Sequence, residues 1–265
     1  MKFVIHAGFH KTGTTTVQRT LLANRNVLRS CAEIFLPSDL EGAARAARRF
    51  SITQNEKSLQ IFRSELKRKL VEPHLDAKKT FLLSCESICG SIPGRKNVWS
   101  YHCAGRLLHE ACESISDAFG PGHDITVILT TREPDEWMQS VYWQNLRSNR
   151  ITEDFSDYSR QLKAGADLSA LTNAIRSMLN GKASVVEVNA SQAAKGEHFV
   201  NVILASAGVP SDNVTPIEDQ NSRPTNGIQD LLALNRSNLP EVELGIEKRR
   251  YIRRMRRAKR QPQRS

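Results

Sequence analysis

The sequence predicts an α/β fold in which helices cover both faces of a central parallel sheet, and two observations carry that expectation. Short apolar runs alternate with longer stretches of helical periodicity from residue 2 to residue 208. The runs are apolar at consecutive positions (FVI, FLL, ITVIL) instead of alternating apolar with polar, the pattern of strands buried on both faces by crossover helices. A chain of 265 residues, 39% hydrophobic and 25% charged, is long enough to close one such core.

The first strand is expected over Lys2 to Ala7, through Phe3, Val4 and Ile5. Gly8 to Gly13 form a turn, and Thr14 to Ala23 a helix with Val17, Leu21 and Leu22 on one side. Ala32 to Leu36 is a second strand, stopped by Pro37. Asp39 to Arg49 and Glu56 to Val71 are expected as helices, the latter from Leu59, Phe62, Leu66 and Leu70 at three-to-four spacing. Thr80 to Ser84 is a third strand, Gly90 to Trp99 a loop, and His102 to Phe119 a helix ended by Gly-Pro-Gly at 120–122. The fourth strand, Ile125 to Thr131, has the clearest buried character. A helix opens after it at Pro134, because proline suits the first helical position and Asp135 and Glu136 suit its positive end. Then come a helix over Leu168 to Leu179, a fifth strand over Ala183 to Val188 and a helix over Glu197 to Ala207. Ser211 to Asn226 reads as a polar loop, Ile228 to Arg236 as a short helix, and Glu241 to Lys259 as an exposed basic helix or disorder.

The net charge of +10 is localised. Residues 247–265 hold ten Lys/Arg and one acid, which leaves residues 1–246 at +1. A nearly neutral body with a basic extension argues against a basic nucleic-acid-binding domain. The expected division is one domain over 1–246 and a basic tail over 247–265 that contacts an anionic polymer or a membrane surface. The five cysteines, Cys31, Cys85, Cys89, Cys103 and Cys112, form no paired CxxC and read as reduced buried thiols, with no metal site. The N-terminal apolar run is too short for a secretory leader, and no stretch approaches the ~18 to 20 apolar residues of a membrane span, so a cytoplasmic, at most membrane-peripheral, protein is expected.

Ligands of parallel α/β folds bind at the carboxyl ends of the strands. At the first strand end stands Gly8-Phe-His-Lys-Thr-Gly13-Thr14-Thr15. Its two glycines allow a tight turn that aims several N–H groups inward, and the following helix adds its positive end, so the segment is an anion cradle. The Gly-x4-Gly spacing is that of a P-loop, yet Thr14 occupies the place where a triphosphatase needs lysine, and the lysine is Lys11, inside the loop. From there it can reach across a single phosphate to the bridging oxygen and stabilise charge on a leaving group.

The string FVIHAGFHKTGTTTVQRTLL resembles the 5′-phosphosulfate loop of sulfotransferases that use 3′-phosphoadenosine 5′-phosphosulfate (PAPS), above all the bacterial and carbohydrate-type branches. The resemblance implies a P-loop NTPase-like, three-layer α/β fold with a central parallel sheet flanked by helices. It places Lys11, Thr12, Gly13, Thr14 and Thr15 on the donor PAPS, with Lys11 catalytic and adenosine 3′,5′-bisphosphate as product, and with no metal.

The fourth strand end supplies a second anion site. Arg132 leaves the strand and Ser140 follows eight residues later on the next helix, so both can converge on one phosphate. With Pro134, the pair resembles the same family's 3′-phosphate motif. The third strand ends in Ser84-Cys-Glu86, where a carboxylate faces the same crevice; by resemblance to carbohydrate-acting members Glu86 is the expected base, with His10 and His102 as competitors. His6 is expected as a satisfied core residue, and Trp137 and Trp143 as core aromatics. Arg223, in the late polar loop, is a candidate cover for the adenosine end, although the lysine-glycine form of that loop is absent. The acceptor implied is a hydroxyl of a carbohydrate or glycolipid, shaped by a helical insertion at about 37–75. Two other functions compete: a P-loop small-molecule kinase, which the missing lysine at 14 disfavours, and a non-catalytic anion-binding module acting through the basic tail.

Overall fold

A computed structural model of the chain describes residues 1–190, 199–217 and 227–260. Its centre is a five-stranded sheet of β1 (Lys2–His6), β2 (Ala32–Phe35), β3 (Thr80–Ser84), β4 (Asp124–Thr131) and β5 (Ser184–Asn189). All pairings are parallel and the spatial order is β2-β3-β1-β4-β5. This is the parallel sheet flanked by helices expected from the strand patterning. β1 lies between β3 and β4, with Ile5 opposite both Leu83 and Val127. The ends of the first, third and fourth strands therefore open side by side.

Alternation along each strand divides the core into two layers. Phe3, Ile5, Phe81, Leu83, Val127 and Leu129 face one side. There they meet α3 (Glu41–Thr53), α4 (Glu56–Leu70), α5 (Ala104–Phe119), α6 (Pro134–Ser148), α7 (Phe155–Leu162) and α8 (Leu168–Met178). Val4, Leu82, Ile128 and Val188 face the other, covered by α1 (Thr14–Ala23), the short α2 (Arg25–Leu28) and α9 (Phe199–Ala207).

Local chemistry sets the helix ends. Asn55 caps α4 by accepting from the Ser58 N–H at 2.8 Å, and Asp167 caps α8 by accepting from the Ala170 N–H at 2.8 Å. Pro134, Asp135 and Glu136 form the first turn of α6, as the sequence indicated. Helix α3 starts and ends later than expected, stopping at Gln54, whose φ of 50° is left-handed. The expected insertion is the pair α3 and α4, in which Ala43, Ala44, Ala46 and Ala47 let the helices approach closely. Features not foreseen include the one-turn α2, α7, too short and polar to show periodicity, and 3-10 turns at Glu86–Cys89 and Lys163–Gly165. All five cysteines are free thiols, four of them buried. Among the described residues no helix is long and apolar enough to cross a membrane. Residues 191–198, 218–226 and 261–265, including Arg223, lie outside the described residues.

The basic C-terminal stretch is a docked element. Helices α10 (Gly227–Arg236) and α11 (Glu241–Arg260) pack on each other, and α10 packs on α6. The expected division at 247 falls inside α11. Leu244, Lys248 and Tyr251 are buried at turn spacing, the Lys248 ammonium donates to the Asn149 carbonyl at 2.8 Å, and the Tyr251 hydroxyl donates to Asp230 at 2.6 Å. Arg150 holds the connection, donating to the carbonyls of Ser237 and Leu239 and to the Glu241 carboxylate. The cations lie on the opposite face, where Arg249, Arg250, Arg253 and Arg254 are exposed.

Deleting residues 247–265 is therefore expected to lower stability by on the order of 3 kcal/mol through loss of the buried Tyr251 and Lys248 contacts. Urea unfolding followed by tryptophan fluorescence reads this; a midpoint unchanged by the deletion would show α11 to be dispensable for packing.

Candidate active site

The turn after β1 is constrained at both ends. Gly8 has φ +46°, and a Cβ there would sit 2.6 Å from Thr14 Cγ2 and 2.8 Å from Thr130 Oγ1. Gly13 has φ +96° and stands at the N-cap of α1, where no side chain caps the helix. The early amides of α1 thus lie beside Lys11 at the mouth of a cavity. Lys11 itself is left-handed, φ 73°, a conformation that costs a non-glycine residue about 1 to 3 kcal/mol and that concentrates at functional turns.

Two links tie this turn to the end of β4. The Thr12 hydroxyl donates to the Phe9 carbonyl at 2.6 Å and is bonded by the Thr130 hydroxyl. The Arg132 guanidinium reaches the Lys11 carbonyl at 3.5 Å and donates to Glu136 at 3.0 Å. Thr12 is thereby corrected: its side chain is buried and committed to the turn, and it does not line the cavity.

The cavity, about 470 Å³, lies at the carboxyl ends of β1, β3 and β4. It brings together Lys11, Gly13, Thr14, Thr15, Arg132 and Ser140 with Glu86 and His10. Sequence reasoning did not find Arg48 of α3, Arg95 of the loop after β3, or Gln144 one turn beyond Ser140, all of which also line it. Nothing local marks them: Arg48 sits in a run of surface-like arginines, and Arg95 in a turn-forming Pro-Gly-Arg-Lys-Asn segment. Among the described residues the lining carries four cations, Lys11, Arg48, Arg95 and Arg132, against one carboxylate, Glu86. Such a surplus, partly shielded from water, selects anionic ligands. A larger open groove, about 660 Å³, lies between α10 and α11, away from the strand ends and from both sequence motifs.

Glu86 opens the 3-10 turn after β3 and accepts from the Gln18 amide at 2.6 Å. Burial opposes its charge, but coupling to the His10 ring, which attracts the carboxylate only when protonated, and the Gln18 bond outweigh burial and hold the carboxyl below its usual range. His10 is fixed by Tyr101, whose hydroxyl accepts from the His10 backbone N–H at 2.9 Å and lies 3.0 Å from Nδ1. Burial drives the Tyr101 phenol well above its normal pKa, so its proton stays in place. Burial, reinforced by Arg95, Arg48 and Lys11, lowers the His10 pKa to about 4 despite Glu86, so the imidazole is neutral near pH 7. His10 is bonded through its backbone N–H and Nδ1 to Tyr101, the hydrogen-bonding role that competes with a catalytic one, and its lowered pKa makes it a weak base. His102 is exposed, hydrogen-bonds Gln54 at 3.3 Å and does not line the cavity. His6 is only half satisfied: Nδ1 bonds Ser84 at 2.8 Å, while Nε2 is buried without a partner among the described residues. Trp137 is core, donating to the His10 carbonyl at 3.0 Å.

No protein-family model and no curated protein matches this chain. A solved structure of a sulfotransferase from Alicyclobacillus acidocaldarius is similar over 96% of this chain and 94% of its own, at 13% identity and a TM-score of 0.48.

Gly8→Ala is expected to destabilise the turn by about 1 to 3 kcal/mol and to weaken anion binding, readable by thermal melting with and without inorganic sulfate. A pH dependence follows from His6, whose pKa burial lowers from 6.5 to about 4. Above pH 6.5 both folded and unfolded states hold it neutral; as pH falls toward 4 the unfolded chain takes up the proton and the folded one resists. The stability lost across that window is on the order of 3 kcal/mol for His6, with His10 adding in the same direction. Ring resonances of both histidines should stay still between pH 8 and pH 5.5; midpoints near 6.5 would show solvated rings instead.

Proposed function

We propose that this chain is a PAPS-dependent sulfotransferase that moves a sulfonate group to a hydroxyl of a carbohydrate or glycolipid acceptor. The observation that supports this best is the convergence in one cavity of a lysine inside the β1–α1 turn, an arginine–serine pair from β4 and α6, and a single carboxylate.

In this reading the amides at the start of α1, with Thr14 and Thr15, hold the 5′-phosphosulfate end of the donor, and Arg132 and Ser140 take its 3′-phosphate. Anchoring a donor at both ends fixes the sulfur for in-line attack. Glu86, ionised and steered by Gln18, accepts the proton of the attacking hydroxyl. The S–O bond to the new oxygen forms as the bond to the bridging oxygen breaks, and Lys11 stabilises the charge left on adenosine 3′,5′-bisphosphate. His10 lines the same space. Arg132 is not isolated, since it is shared with Glu136, so the 3′-phosphate competes with that pair.

A kinase of small molecules would favour ADP over adenosine 3′,5′-bisphosphate, and calorimetric titration of the two separates the readings. The bisphosphate should bind at least ten-fold more tightly. Arg132→Ala is expected to weaken the bisphosphate by about ten- to a hundred-fold while changing affinity for adenosine 5′-phosphosulfate little, as the size of a charge-assisted contact implies. Lys11→Ala should leave the melting temperature near that of the wild type and reduce turnover by a factor of 100 or more. Equal affinity for the two nucleotides would sink the assignment.

A further inference from the structure

Two of the four cations that line the cavity among the described residues are not needed by either end of the donor in the reading above: Arg48, beside Glu86, and Arg95, held against α6. Arg48 reaches in from α3 and donates to the Ser87 hydroxyl at 2.9 Å, one residue from the carboxylate. Arg95 comes from the loop after β3; it donates through Nε to Asn145 and through Nη2 to Ser148 at 2.7 Å. Among the described residues neither meets a carboxylate at ion-pair distance, in contrast to Arg132 with Glu136 and Arg63 with Asp117. Arg48, Arg95, Glu86, Lys11 and His10 all line the one cavity.

Arg95 is also held rigidly before any ligand arrives. Its partner Asn145 is fully buried and donates to the Pro93 carbonyl at 2.8 Å and to the Tyr158 hydroxyl. Gly94, with φ +81°, lets the chain pass over Tyr158, where a Cβ would fall 1.7 Å from the phenol oxygen. Burial lowers the Arg95 pKa, the mark of a guanidinium removed from water with only neutral acceptors in return. A partly desolvated cation on a preorganised mount, left without counter-charge, is built for an anion that comes from outside.

Building on the sulfotransferase reading, we infer that the acceptor is itself anionic, bearing a carboxylate or a sulfate ester near its reacting hydroxyl, and that Arg48 and Arg95 are the residues that select it. The anion would be bound beside Glu86, so that the neighbouring hydroxyl is delivered to the carboxylate while Lys11 and Arg132 stay with the donor. Neutral sugars of the same shape would leave both guanidinium groups uncompensated and bind less well.

The test uses the full chain saturated with adenosine 3′,5′-bisphosphate, into which glucose, glucuronate and glucose 6-sulfate are titrated with calorimetric or saturation-transfer readout. The two acidic sugars should bind at least ten-fold more tightly than glucose, and their relative strengths distinguish a carboxylate from a sulfate ester as the preferred group. Arg48→Gln and Arg95→Gln should each reduce the preference by about ten-fold while shifting bisphosphate affinity less than two-fold; Arg95→Lys, which keeps the charge on the same loop, should retain part of it. Equal binding of all three sugars overturns the inference. So does a loss of bisphosphate affinity in the arginine variants with the sugar preference intact, because those side chains would then belong to the donor. Failure of the bisphosphate to bind the wild type is a different result, and it removes the donor assignment on which this inference rests.

Discussion

The turn that follows β1 is bolted to the end of β4, and the site depends on that attachment. Thr12 and Thr130 share a buried hydroxyl contact, and Arg132 bridges to the Lys11 carbonyl. Both links exist because β1 and β4 are neighbours in register, His6 opposite Ile128. A lysine held in a left-handed turn and an arginine some 120 residues away are thus set in one frame by sheet pairing, before any ligand is bound. The third strand completes the frame from the other side: Cys85 donates its N–H to the His6 carbonyl, which seats Glu86 at the top of the sheet.

Electrostatics inside that frame is sorted by burial. His10 is neutral because burial disfavours its charge and Tyr101 is bonded at Nδ1, while the Gln18 bond favours the charge of Glu86. A neutral ring and an anionic carboxylate lie side by side, which a pair of solvated side chains would not hold over the same pH range. Among the described residues the cavity lining carries four cations against the single carboxylate of Glu86, with Arg132 shared with Glu136.

Much of this could be read from residue order, and the limits have physical causes. The strands and the turn at Gly8 to Gly13 announce themselves through apolar runs and glycine spacing, which are local signals, and the Arg132–Ser140 pair through its place at a strand end. Thr12 looked like its hydroxyl-bearing neighbours Thr14 and Thr15; only its contact with Thr130 turns it inward. Tertiary packing brings Arg48 and Arg95 to the cavity and Tyr101 to His10, so their sequence surroundings are those of ordinary surface or core residues. The basic C-terminal stretch concealed its buried stripe because one member is Lys248, whose charge reads as solvent-facing until the Asn149 carbonyl is seen beneath it.

Gly94 shows how such a pocket resists drift. With the Tyr158 phenol beneath it and φ at +81°, no other residue fits there without dislodging the bond network under Arg95. Descendants of this sequence that acquired a taste for different molecules would have to rewrite positions 48 and 95 themselves, keeping the glycine–tyrosine mount as an inherited platform on which new side chains are tried.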